Sequence, residues 1–129
     1  MARPSSNRPT DAELAILRVL WERGPSTVRQ VHEAQAGARP TAYTTTLKLL
    51  QIMAEKGHVQ RDERDRTHVY AARATEEQTQ RQLLQDLLDR AFGGSSTKLV
   101  MQALSSRKAS QADLAEIRRL LDQREGGTK

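Results

Sequence analysis

Apolar residues recur along this chain with two different periods, and the change of period marks how it is organised. Leu14, Leu17, Leu20 and Trp21 return at helical spacing, with Thr10 and Glu13 placed as a capping box and "RGP" at 23–25 as a stop. A shorter helical pattern with Val28, Val31 and His32 follows, with Ser26 expected as its cap, and it runs out at "AGARP". In the third, "TAYTTTLKLLQIM" from Thr41 to Met53, positions 46, 49, 50 and 53 hold Thr, Leu, Leu and Met at i, i+3, i+4 and i+7. Gly57 is the expected residue just past its end. That register sets Thr46 at the edge of a core and turns Thr44, Thr45, Lys48 and Gln51 outward. Beyond Gly57 the period shortens to alternation, Val59 and Arg61 on one side and His68 and Tyr70 on the other of a highly charged turn, which predicts a β-hairpin.

Helical spacing then resumes. Thr75 and Gln78 form a second capping box, and Leu83, Leu84, Leu87, Leu88, Ala91 and Phe92 line a long helix expected to stop at Gly93-Gly94. Two shorter helical patterns follow, one with Leu99, Val100, Ala103 and Leu104, the other capped by Ser110 and carrying Leu114, Ile117, Leu120 and Leu121. The expected fold is mainly α: a winged helix-turn-helix of three helices and a hairpin wing, followed by a helical dimerisation domain. The corresponding division is a flexible basic arm over 1–9, the winged helix over 10–74, the dimerisation domain over 75–123 and a flexible tail over 124–129. The last three helices have apolar faces but little bulk to bury among themselves, so a second copy related by a twofold axis is the economical cover. Leu84, Leu87, Leu88, Phe92, Leu99, Val100, Leu104, Leu114, Ile117 and Leu121 are the residues expected to make that contact.

Composition sharpens this picture. Of 129 residues, 36% are hydrophobic and 29% charged, which leaves a single chain little apolar material for a core. The absence of cysteine removes disulfides, thiolate metal sites and cysteine nucleophiles together. His32, His58 and His68 stand at no metal-ligand spacing, and no glycine-rich phosphate loop or nucleophile elbow occurs. Neither an enzyme nor a bound cofactor is expected. No apolar run reaches the roughly 18 residues of a membrane span, and the amino terminus lacks a secretory signal, so a soluble cytoplasmic protein without a membrane partner is expected. Net charge is +5 and the pI near 10.1. The excess is concentrated in residues 1–74, where 12 Lys/Arg face 8 Asp/Glu, and it suits a polyanionic partner.

The threonine run is where that partner would dock. Threonine is a poor helix former, and three of them forfeit about 1–2 kcal/mol relative to alanine. Short hydroxyl side chains in the first turns of a helix let backbone approach phosphate and can bond base edges, and a threonine methyl can meet a thymine methyl. In a helix-turn-helix those first turns belong to the element that enters the major groove of double-stranded DNA. Lys48 on the same face and Arg39 in the preceding turn are placed for phosphate. The hairpin tip "RDERDRTH" offers Arg64, Arg66 and His68, opposed by Asp62, Glu63 and Asp65. A winged helix that binds protein, or a regulator with a ligand pocket at the dimer junction, are the other readings this pattern permits.

Three stretches, "TDAELAILRVLWERGPSTVRQVHEAQ", "YTTTLKLLQIMAEKGHVQRD" with "THVYAAR", and "FGGSSTKLVMQAL", together resemble the penicillinase-repressor family of transcriptional regulators, the BlaI/MecI type, over residues 8–122. The resemblance implies a homodimeric repressor of palindromic operators with its recognition helix on residues 42–55. Tyr43, Thr44, Thr45 and Lys48 would take the DNA-contacting positions, with Thr41 at the entry to the helix. It also implies relief by a signalling protease that cuts within "KLVMQA", near Gln102 and Ala103. This sequence has Gln-Ala where β-lactam-responsive relatives carry Asn-Phe, and it lacks the cysteine-rich tail of a copper-responsive branch.

Overall fold

The computed structural model describes residues 8–106 and 109–127. Helices α1 (Asp11–Arg23), α2 (Val28–Gln35) and α3 (Tyr43–Lys56) precede a hairpin of β2 (Val59–Asp62) and β3 (Val69–Ala72), and the two-residue strand β1 (Ser26–Thr27) lies between α1 and α2. Helices α4 (Glu76–Ala91), α5 (Ser96–Ser106) and α6 (Gln111–Gly127) complete the chain. The first part is a winged helix-turn-helix. Residues 1–7 of the expected arm, and 128–129 of the expected tail, lie outside the described residues.

The helices begin where side chains can take up their free amide groups. At α1, Thr10 Oγ1 accepts the Glu13 N–H (3.2 Å) while Glu13 Oε1 accepts the Thr10 N–H (2.9 Å). At α2 the cap is Thr27 with Gln30 rather than Ser26. Ser26 is instead buried in β1, opposite Tyr70 of β3, and its hydroxyl donates to the Gly24 carbonyl at 2.9 Å. One residue of register therefore separates the cap from a strand that the sequence did not announce, and the sheet has three antiparallel strands in the order β1-β3-β2. Tyr70, in the central strand, pairs with Ser26 on one side and Arg61 on the other and buries its ring.

Ile16, Leu17 and Leu20 of α1, Val28 and Val31 of α2, Leu50 and Met53 of α3, Val59 and Tyr70 form one core. Leu14 and Trp21 pack on its edge, and the indole Nε1–H of Trp21 donates to the Ala74 carbonyl at 3.0 Å. Thr46 lies inside rather than at the rim: it is 1% exposed and its hydroxyl has no hydrogen-bond partner. Gly57 ends α3 with φ +87, a conformation that costs glycine little, and the His58 N–H then donates back to the Met53 carbonyl at 2.9 Å. Glu13 serves twice. Besides capping α1, its buried carboxylate accepts two bonds from Lys56 Nζ at 2.8 and 3.0 Å, which tie the last turn of α3 to the first of α1.

The chain divides into two compact units, the first ending at Leu83 and the second beginning at Leu84, inside α4 and later than the expected junction before Thr75. The Thr75–Gln78 box starts α4 and Ser110 caps α6 as expected, and Asp113 completes a box with Ser110 that the sequence reading did not include. Two expectations for this region are corrected. Phe92 follows α4 rather than lining it, because the Gly94 N–H reaches back to the Leu88 carbonyl (2.8 Å) and closes the helix at Ala91, with Gly94 at φ +82. α6 is not short: its 17 residues carry helix through the 124–127 stretch expected to be loose. No proline interrupts it there, and the two glycines, each costing about 1 kcal/mol inside a helix, occupy only its last turn.

Candidate nucleic-acid interface

The start of α3 differs from the other helix starts. α1, α2, α4 and α6 each have a reciprocal side-chain cap, and α5 has Ser95 Oγ accepting the Lys98 N–H. α3 follows Ala42, which has no side chain able to cap. Its first internal bonds run from the Thr45 and Thr46 amides to the Ala42 carbonyl. Among the described residues the amides of Tyr43 and Thr44 make no hydrogen bond, so the donor-rich, partially positive end of the helix faces solvent.

The turn that aims this end is held from α2. The ring Nε2 of half-buried His32 lies 2.9 Å from the Thr41 carbonyl; a carbonyl only accepts, so this nitrogen carries the proton. The same ring meets Tyr43 edge to face, with centroids 5.7 Å apart and planes at 77°. Thr41 Oγ1 donates to the Arg39 carbonyl (3.1 Å), and the Arg39 N–H donates to the Gln35 carbonyl (2.8 Å). His32 was read in the sequence as part of a helical pattern and at no metal-ligand spacing, not as a support for this turn. Its position one helix before the turn was visible, but its bond to Thr41 depends on the crossing of α2 and α3.

From this base, Tyr43, Thr44, Thr45 and Lys48 are exposed, as are Arg39 and, more partially, Thr41. Thr46 points the other way with Leu50 and Met53. The structure thus brings six of the expected residues to the start of α3 and the turn before it, with hydroxyls flanked by two cations. Gln35, beneath the turn, is buried.

The hairpin carries a different electrostatic pattern. The carboxylate of Asp62 takes four contacts from Arg64: its backbone N–H (3.0 Å), Nε to both oxygens (3.1 and 3.2 Å) and Nη2 (2.7 Å). Those hydrogen bonds hold the Asp62 carboxyl well below its ordinary range, to about 2. Arg61 Nε donates to Glu63 at 2.5 Å. Arg66 and His68 are exposed at the tip, and His68 precedes β3 instead of alternating within it. Of the expected wing cations, then, Arg64 is engaged by a neighbour, while Arg66 and His68 show no such pair among the described residues.

The second unit presents apolar surface. None of the residues of α5 is buried, and among the described residues the buried hydrophobic ones all lie between Ile16 and Tyr70. Leu84, Leu87, Val100, Leu104 and Leu121 are 40–56% exposed, and Leu88, Phe92, Leu99, Leu114 and Ile117 are half-buried. Met101 and Leu120, 61% and 57% exposed, belong with them; Leu120 was read as part of the last helical pattern, but neither was among the residues expected to make the contact. Both stand beside residues that were, and a helix face about 100° wide would have included them. Along α5 runs an open groove of about 430 Å³ lined by Phe92, Thr97, Lys98, Met101, Gln102 and Ser105. Gln102 and Ala103 are both exposed in the middle of α5. Among the described residues no helix is long and apolar enough to cross a membrane.

The sequence profile of the penicillinase repressor family matches residues 9–123. A protein described as transcriptional regulator BlaI from Mycobacterium tuberculosis, strain CDC 1551 / Oshkosh, is 37% identical over 119 residues, which cover 91% of this chain and 85% of that protein. Its counterpart in strain ATCC 25618 / H37Rv matches equally. A solution structure of the DNA binding domain of the repressor BlaI aligns with a TM-score of 0.49 at 21% identity, over 54% of this chain and 85% of that one.

Proposed function

The chain belongs to the penicillinase repressor family of transcriptional regulators rather than to any class of enzyme, and from that premise we propose that it represses genes as a homodimer bound to dyad-symmetric operators in the cytoplasm. The observation that carries the reading is the start of α3. It is uncapped, free of acidic side chains, surfaced by Thr44 and Thr45 and flanked by Arg39 and Lys48. Free amides and hydroxyls there suit phosphate and base edges, and the two cations suit the backbone. Arg66 and His68 would add contacts from the wing.

The dimer follows from the second unit. Leu84, Leu87, Leu104 and Leu121 are 40–56% exposed on amphipathic helices, and a second copy is the partner always present at matching concentration to cover them. Two recognition helices so linked would enter successive major grooves about 34–36 Å apart. Relief of repression by proteolysis between Gln102 and Ala103 is compatible with α5, since a protease needs extended substrate and α5 has no buried side chain to hold it helical. Cutting there would divide the dimerisation surface and return each half to weak single-site binding.

Selection of bound duplexes from a random-sequence pool at about 150 mM salt, a regime in which non-specific binding is weak, tests the proposal. The expected product is a dyad-symmetric motif with half-site centres one helical turn apart. Recovery of no motif would refute operator recognition and favour a winged helix that docks on protein.

A further inference from the structure

From the end of β2 through the turn, the wing holds three arginines, Arg61, Arg64 and Arg66, matched by three carboxylates, Asp62, Glu63 and Asp65. Matching charge on a solvated turn is ordinary, but the geometry here is not evenly shared. Asp62 binds the side chain and the backbone amide of Arg64 at once, closing the turn around itself, while the Arg64 side chain remains 88% exposed and open to solvent. Glu63 accepts only from Nε of Arg61, with no backbone bond, and the Arg61 side chain also engages Tyr70. Arg39 and Lys48, by contrast, stand at the start of α3 with no carboxylate in contact among the described residues.

A guanidinium already satisfied by a carboxylate gains little by trading it for a phosphate, because one charge-assisted pair replaces another. Such an arginine adds almost nothing to the diffuse, sequence-independent attraction that draws a basic protein to any duplex. It can still be recruited once the recognition helix has fixed the hairpin against a particular backbone, when the cost of orienting it has been met. A free arginine at the same place would act on every sequence alike and would raise the background against which an operator must be found.

We propose that Asp62 is a specificity-determining residue: by pairing with the exposed Arg64 it suppresses binding to non-operator DNA and widens the gap between specific and non-specific affinity. This rests on the repressor reading above and adds to it a role for an acidic residue that itself need touch no DNA.

The test is a salt titration of binding to the selected operator and to a scrambled duplex, using the full chain and four forms: unaltered, Asp62→Asn, Asp65→Asn, and Asp62→Asn with Arg64→Ala. Asp62→Asn should tighten binding to the scrambled duplex several-fold at low salt, steepen its salt slope by about 0.9 for one new phosphate contact, and narrow the operator-to-scrambled ratio. Asp65→Asn removes the same formal charge without freeing a paired arginine and should do much less. The double variant should return to the slope of the unaltered protein. Equal gains from Asp62→Asn and Asp65→Asn, or a gain that survives Arg64→Ala, would overturn the inference by reducing the effect to net charge. An unaltered protein that binds no duplex would overturn the repressor reading itself, and the two failures are thus distinguishable. Circular dichroism of each form checks that the exposed turn tolerates the changes.

Discussion

Thr45 and Lys48 lie about one turn apart on the exposed face of α3, yet truncating each should damage binding differently. A threonine at a base edge carries sequence preference, so Thr45→Ala should alter which base is favoured at one position, a difference of about 1–3 kcal/mol. Lys48→Ala should weaken all duplexes alike and lower the salt slope by about one. Competition binding against single-base operator variants over a range of salt separates the two. The neighbouring Thr46 shares neither fate, since it is buried with an unpartnered hydroxyl and belongs to packing. Three adjacent threonines look alike in a sequence, and only the phase of the helix tells them apart. That phase was legible from Leu50 and Met53, which fixed Thr44 and Thr45 as outward. The pairing of Asp62 with Arg64 was not, because it depends on how a tight turn folds two neighbouring side chains onto one another.

Among the elements, α1, α3 and the approach to β2 meet at Glu13, Lys56 and His58. Burial alone would raise the Glu13 pKa, but the hydrogen bond from Lys56, the Thr10 N–H and the nearby positive charge outweigh it and leave it below its ordinary 4.5. Burial likewise lowers His58 below 6.5, with Lys56 acting in the same direction and Glu13 opposing. The unfolded chain therefore takes up a proton at each position before the folded one does. Stability should be full above pH 6.5, decline first as His58 is forced to charge, and decline again below 4.5 as Glu13 is protonated and its hold on Lys56 weakens. Urea denaturation across this range should show both steps, and His58→Gln should remove only the first; a flat profile from pH 7 to 5 would contradict the assignment. The reach of α1 and α3 could be read from capping residues and apolar spacing. The strand β1 could not, since two residues carry no period of their own and Ser26 pairs with a partner, Tyr70, far along the chain. Nor could the length of α6, where a charged, glycine-ended stretch resembles a fray until the helix that precedes it is seen to continue.

For the whole molecule, the uneven distribution of burial matters most. Among the described residues every buried hydrophobic residue belongs to the first unit, and the large apolar side chains of the second, Phe92 and Ile117 among them, are half-buried or exposed. Leu87→Asp or Leu121→Asp, which place a charge where a second copy is proposed to sit, should shift sedimentation toward the monomer and weaken operator binding sharply. Unchanged operator affinity in a demonstrated monomer would refute the linkage of the two. The shortage of apolar residues in the composition already suggested that one chain could not cover these helices, although composition does not say which faces are left open. The single tryptophan, finally, gives the molecule an optical asymmetry. Trp21 sits on the edge of the first unit's core with its indole bonded to Ala74, so its emission follows that unit alone, whereas far-ultraviolet ellipticity sums the helices of both units. Melting curves recorded by the two signals coincide only if both halves unfold in one cooperative step, and any separation between them measures, without a label, how independently the two halves come apart.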